Sequence, residues 1–111
     1  MDCLFCKIAA GEIPSKKLYE DDKILAFYDI SPIAPVHFLV IPKAHMESVD
    51  EITPENSQII GYIFEKIGQL AKEAGITNGY RVISNCKADA GQTVPHLHFH
   101  VLGGKEMAWS C

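Results

Sequence analysis

The amino-acid sequence predicts an α+β domain: an antiparallel sheet of about five short strands, one long helix and a short N-terminal helix. Three observations carry this prediction. Residues 97–102 alternate apolar and polar side chains with a period of two, as a half-buried strand does. Ile59, Ile60, Ile63, Ile67, Leu70, Ala71 and Ala74 recur at three- and four-residue spacing, as on a helix with one apolar face. The other apolar runs are short and are punctuated by glycine and proline, which fits strands joined by turns.

Taken in order, residues 3–10 form a short helical turn, stopped by Gly11 and Pro14. Residues 17–20 form a short strand, and residues 24–29, apolar and half alternating, form another. Residues 31–35 contain Pro32 and Pro35 and make a turn, because two prolines cannot both join a strand ladder. Residues 37–41 read as a buried strand ended by Pro42. The long helix begins near Thr53, a good N-cap, with Pro54 in the first helical position, and it stops at Gly75. Residues 80–85 are a strand, 86–95 a polar loop, and 97–102 the last strand. With 111 residues and no repeat or low-complexity tract, residues 1–111 are read as a single domain.

Composition narrows the class. An apolar fraction of 48% with 22% charged residues is that of an ordinary globular protein, and no apolar run reaches membrane-spanning length. The first residues show no basic segment ahead of an apolar stretch, so the expectation is a cytoplasmic location. A net charge of −4 argues against a nucleic-acid coat, although local amides and imidazoles can still bind a phosphate. No nucleic-acid or membrane partner is expected.

The alternating stretch is His96-Leu97-His98-Phe99-His100-Val101-Leu102. In a strand it puts three imidazoles on one face and Leu97, Phe99 and Val101 on the other. One face can pack on a core while the other offers groups that titrate near neutrality. On spacing alone a metal-binding patch or incidental surface histidines remain open. Likewise Cys3-Leu4-Phe5-Cys6 has the gap of half a zinc site, but it also fits free thiols or a redox pair.

The stretch from Gly91 to Gly104, with Gly91-Gln92-Thr93-Val94-Pro95 leading into the histidines, resembles the signature of the histidine triad family of nucleotide-binding proteins. Phe27-Tyr28-Asp29-Ile30-Ser31-Pro32 and the run from Pro35 to Lys43 are similar to the same family, so the resemblance spans nearly the whole chain. Gly103-Gly104 and Trp109 resemble its Hint branch, and the Cys3/Cys6 pair its bacterial type. The resemblance implies a homodimer in which two protomers build one continuous sheet, with Trp109 reaching the partner's site.

It also implies a purine nucleoside phosphoramidase, which takes AMP or GMP joined to an amine to the nucleotide plus amine through a covalent nucleotidyl-histidine. His98 would be the nucleophile. His100 would bond phosphate or leaving-group oxygens, His37 would orient the cluster, and Thr93 would assist the leaving group. Asn85, Gly91, Gln92 and Thr93 would surround the phosphate, and glycine suits such a loop because it lets backbone approach a ligand. Asp29 would accept from both ribose hydroxyls, and Leu4, Phe5, Ile8, Phe27, Ile30 and Leu39 would enclose the base. Read without the resemblance, those apolar residues are ordinary core and the loop a solvated turn. Tyr28 stands where animal Hint proteins have histidine.

The bacterial-type relatives imply a metal set of Cys3, Cys6, His45 and His96. Four protein donors leave no open position, so the zinc would be structural and no catalytic metal would be required. Cys86 and Cys111 are read as incidental, with Cys111 open to oxidation. The alternatives are a dinucleoside polyphosphate hydrolase or nucleotidyl transferase, a nucleotide-binding regulatory protein with incidental hydrolysis, and a zinc-binding structural module. Gly103-Gly104 argues against the first, and His100 against a transferase of the uridylyl type, which has glutamine there.

Overall fold

The computed structural model describes residues 3–109, so Cys111 lies outside the described residues. Helix α1 is Leu4–Ala9, and strands β1 and β2 are Lys17–Glu20 and Ile24–Tyr28. Strand β3 is Val36–Pro42, helix α2 Gln58–Glu73, β4 Tyr80–Ile83 and β5 Phe99–Gly103. The five strands form one sheet in the order β1-β2-β3-β5-β4, with every neighbouring pair antiparallel. This is the α+β architecture expected. No described helix is long and apolar enough to cross a membrane.

The period-two pattern sends side chains to two different cores. Ile24 and Ala26 of β2, Phe38 and Val40 of β3 and Phe99 and Val101 of β5 pack beneath α2, whose Ile63, Ile67, Leu70 and Ala71 are buried against them. On the opposite face Leu25, Phe27, Leu39 and Ile41 meet Cys3, Phe5 and Ile8 from α1. Leu39 stands across from His100 and His37 across from Leu102, so the face that α1 partly covers also carries the histidines. Burying these side chains removes apolar area from water at about 25 cal/mol per Å².

Strand β4 ends at Ile83 rather than at residue 85, the bounds of β2 and β3 shift by one residue, and two starts differ for a local reason. The long helix starts at Gln58 rather than at Thr53-Pro54. Thr53 does open a turn, with Asn56 Oδ1 accepting from the Thr53 N–H at 2.8 Å and the Ser57 N–H donating to the Thr53 carbonyl at 2.9 Å. The Ile59 and Ile60 amides then bond three residues back, to the Asn56 and Ser57 carbonyls. Thr53 to Ser57 thus close a separate turn, and the regular helix follows it. The histidine strand starts at Phe99 rather than at Leu97. His96 to His98 have no strand partner, and the Leu97 N–H donates to the Met46 carbonyl at 2.6 Å instead. At the far end of β5, a Cβ on Gly103 would lie 2.7 Å from buried Ile76, so only glycine fits there.

Candidate active site and metal centre

All five histidines of the chain sit in two adjoining clusters on the α1 side of the sheet. The face is not an open one, as plain alternation suggested. His96 is 0% and His98 6% exposed, because α1 lies over them and Phe5 meets both rings edge-on.

His96 turns away from the other two triad members. Its Nε2 lies 2.8 Å from the Pro42 carbonyl. A carbonyl can only accept, so Nε2 carries the proton and Nδ1 keeps a free lone pair. That Nδ1 is 3.3 Å from Cys3 Sγ, 3.5 Å from Cys6 Sγ and 3.2 Å from His45 Nδ1. Cys6 Sγ is also 3.3 Å from His45 Nδ1. Cys3 and Cys6 meet here because Cys3 caps α1, its Sγ accepting from the Cys6 N–H at 3.3 Å. These four residues could hold one metal ion. Burial, and then Cys3 beside it, pushes the Cys6 thiol up to about 11, so a cation beside it would favour its thiolate.

His98 and His100 belong to the second cluster, their rings 5.0 Å apart. His98 Nδ1 lies 2.7 Å from the His96 carbonyl, so it donates and Nε2 is the nitrogen left unprotonated. Burial pushes the His98 imidazole below its usual value, which keeps it neutral and nucleophilic near pH 7. His37 Nδ1 accepts from the Ile33 N–H at 3.3 Å, so its proton sits on Nε2 and is donated to His100 Nδ1 at 2.9 Å. His100 therefore presents Nε2–H, a donor suited to an anionic oxygen. Asp29 Oδ2 stands 3.5 Å from His37 Nε2.

His37 is also depressed, by burial against the opposing pull of Asp29, and His100 falls to about 4, through burial and then the two neighbouring imidazoles. Between about 4 and the ordinary 6.5 the unfolded chain holds more protons on these groups than the folded one. Stability is therefore expected to be fully present above 6.5 and to fall as pH drops through that window. Urea midpoints near neutrality and near pH 5 measure this, and His100→Gln should reduce the difference. Equal midpoints at the two pH values would contradict the placement.

Beside His98 and His100 lies a cavity of about 330 Å³. Leu4, Phe5, Ile8, Phe27, Ile30 and Leu39 supply its apolar lining, and Asp29, Asn85, Gly91 and Thr93 its polar side. Ile30 is 97% exposed and forms part of the rim. Gly91 has a φ of +77°, a left-handed conformation that glycine adopts without strain. Tyr28 and Val94 also line the cavity. Val94 went unnoticed in the sequence, although it sits inside the very stretch that carries the histidines. Of the residues expected around a nucleotide, Gln92 alone is absent from the lining, and its amide is bonded to backbone instead. His37 stands behind His100, and Trp109 lies 90% exposed beside Arg81 and away from this cavity. A wider groove of about 750 Å³ between residues 44–46 and α2 includes His45, but that imidazole is engaged with Cys6 and His96, so size alone does not mark the site.

Known proteins resemble this chain in sequence and in fold. The HIT domain family model matches residues 10–107. A histidine triad protein from Clostridium difficile is 52% identical, with 97% of this chain and 95% of that one covered and a TM-score of 0.93. A HIT family hydrolase from Clostridium thermocellum is 48% identical, covering 98% and 96% of the two chains with a TM-score of 0.95. Protein HitA of Neisseria gonorrhoeae is 43% identical over 92% of this chain and 95% of its own length. With the family model spanning most of its length and relatives this similar over nearly all of it, the chain belongs to the histidine triad (HIT) family.

Proposed function

We propose that this protein is a purine nucleoside phosphoramidase, converting AMP or GMP linked to an amine into free nucleotide and amine. The observation that carries the reading is His98: a buried, neutral imidazole with Nδ1 committed to the His96 carbonyl and Nε2 free, beside a cavity with an apolar end and a polar end. Nε2 attacks phosphorus, the P–N bond to the amine breaks, and the amine departs with a proton. That proton is drawn from solvent at the open polar end of the cavity, and the water of the second step returns it. Water then attacks the same phosphorus, the bond to His98 breaks, and the nucleotide leaves. The sum is phosphoramidate plus water giving nucleotide plus amine. His100 Nε2–H stabilises the phosphoryl oxygens, and His37 holds His100 in that tautomer. Asn85, Gly91 and Thr93 complete the phosphate end, with Thr93 assisting the leaving amine. Asp29 accepts from the ribose hydroxyls, and the apolar lining encloses the purine. The name "HIT family hydrolase" carried by the Clostridium thermocellum protein supports hydrolysis as the reaction type.

In the same reading Cys3, Cys6, His45 and His96 hold structural zinc. Donors at about 2.0–2.3 Å from one zinc ion stand roughly 3.3–3.8 Å apart on a tetrahedron. Four of the six donor separations, at 3.2–3.5 Å, are close to that figure, all lie within 4.8 Å, and the His96–Pro42 bond is the outer hydrogen bond that orients a ligating imidazole. Zinc held by these residues would pin α1, and hence Phe5, over the histidines and would supply no reacting group. A homodimer is supported by β4, an edge strand whose Tyr80 is 42% exposed, and by Phe64 of α2, which is 48% exposed.

The test is incubation with an AMP-amine phosphoramidate while AMP release is followed. Release of AMP and amine in equal amounts is expected. AMP binding with no release would favour a nucleotide-binding regulator instead.

A further inference from the structure

Residues 85–94 carry much of the polar side of the cavity, yet 87–91 are solvent-exposed and no strand partner holds them. A loop of this kind does not keep Gly91 and Thr93 in place by itself. Asn85 Nδ2 donates to the Ala90 carbonyl at 2.7 Å within the loop, and the side chain of Gln92 joins the loop's two arms to each other and to a neighbouring segment. Its Oε1 accepts from the Lys87 N–H at 2.7 Å. Its Nε2 donates to the Val94 carbonyl at 3.0 Å and to the Glu47 carbonyl at 2.6 Å. The first two bonds join the two arms of the loop. The third ties the loop to the segment following His45, where the Met46 carbonyl already holds the Leu97 N–H. Both amide hydrogens are thereby used, so Gln92 has no donor left for a ligand.

Lys87 shows how firmly the loop is held. Its φ of +66° is a strained value for a residue with a side chain, and such values persist only where the surroundings over-determine them. Gln92 grips Lys87 twice, through Oε1 on its N–H and through the Gln92 N–H on its carbonyl at 3.1 Å. Lys87 Nζ is paired with Asp50 at 2.7 Å.

We infer that Gln92 is a positioning residue, whose carboxamide holds residues 85–94, and with them Gly91 and Thr93, in the geometry that the reaction at His98 requires without touching substrate. The inference rests on the phosphoramidase reading for its kinetic consequence, though not for the clamp itself.

Gln92→Glu keeps the acceptor for Lys87 but replaces both donors by a carboxylate facing two carbonyls. Protonating that carboxylate restores one donor. At about pH 8 the expected result is a kcat lowered about thirtyfold, in line with a small misplacement of reacting groups. KM should stay within about threefold of the parent's, since no substrate contact is lost. The deficit relative to the parent at the same pH should shrink as the pH falls toward about 5, where the introduced carboxyl gains its proton. Gln92→Met, with no donor at any pH, should show no such recovery. Backbone amides of residues 86–94 should exchange hydrogen faster than in the parent in both variants, and only Gln92→Glu should regain protection at low pH. A raised KM with kcat unchanged would show direct substrate contact and overturn the inference. So would parent-like kcat per folded molecule, a deficit independent of pH, or unchanged exchange. If the parent itself releases no AMP, the functional reading fails, and the exchange measurement still decides the clamp.

Discussion

His98→Ala is expected to lower phosphoramidate turnover by about four orders of magnitude or more, because losing a covalent nucleophile removes the step and not merely a contact. AMP affinity should change little, since Phe27, Leu39 and Asp29 line the cavity independently of His98. Alanine also leaves the His96 carbonyl without its imidazole donor, which carries a stability cost of its own. His98→Asn retains an N–H donor near that carbonyl and should be as inactive while folding better. Single-turnover assays together with AMP titration of both variants separate the two effects. Appreciable turnover in either variant would remove His98 from the nucleophile's role.

The largest effect on stability is expected from Cys3→Ser combined with Cys6→Ser. Zinc content should drop from one per protomer to near zero. A ligand that binds only the folded state stabilises by about 4 kcal/mol when its free concentration is a thousand times Kd. For a domain of this size such a loss lowers Tm by roughly 15 °C. Chelation of the parent should lower Tm in the same direction. The effect on turnover per folded molecule should be smaller than for His98→Ala, because the four ligands reach the reaction only through α1. Phe5 is the route: it lies between the two thiols in sequence and meets both His96 and His98 edge-on. Zinc analysis and thermal melts check this, and full zinc content in the double variant would show that other residues hold the metal.

Much of the fold was legible because the relevant signals are local. The alternation in β5 and the three- and four-residue spacing in α2 follow from side-chain direction in strands and helices, and both elements formed where those patterns lie. The Thr53-Pro54 signal does open a helical turn, but the i→i+3 bonds of the Ile59 and Ile60 amides separate it from the regular helix, and nothing in the residue types marks that break. The histidine face is covered rather than open. Alternation says which residues share a face and nothing about what covers it, and the cover comes from α1, at the other end of the chain.

Within the candidate site, residue types were easier to read than bonding roles. The thiol and imidazole donors and the apolar lining could be named from the resemblance. The tautomers depend on backbone partners — the Ile33 N–H and the carbonyls of Pro42 and His96 — which leave no mark in a sequence. Gln92 shows the same limit. Its amide suits a phosphate oxygen as well as a loop carbonyl, and only the folded loop brings Lys87, Val94 and Glu47 within its reach.

The central claim is that phosphorus is transferred to His98 and then to water. Each in-line displacement inverts the configuration at phosphorus, so two in succession restore it. The most direct measurement is hydrolysis, in isotopically labelled water, of an AMP-amine analogue made chiral at phosphorus by sulfur substitution, followed by determination of the product's configuration. The double displacement through His98 predicts retention. Inversion would mean that water attacks directly, and it would contradict the covalent mechanism.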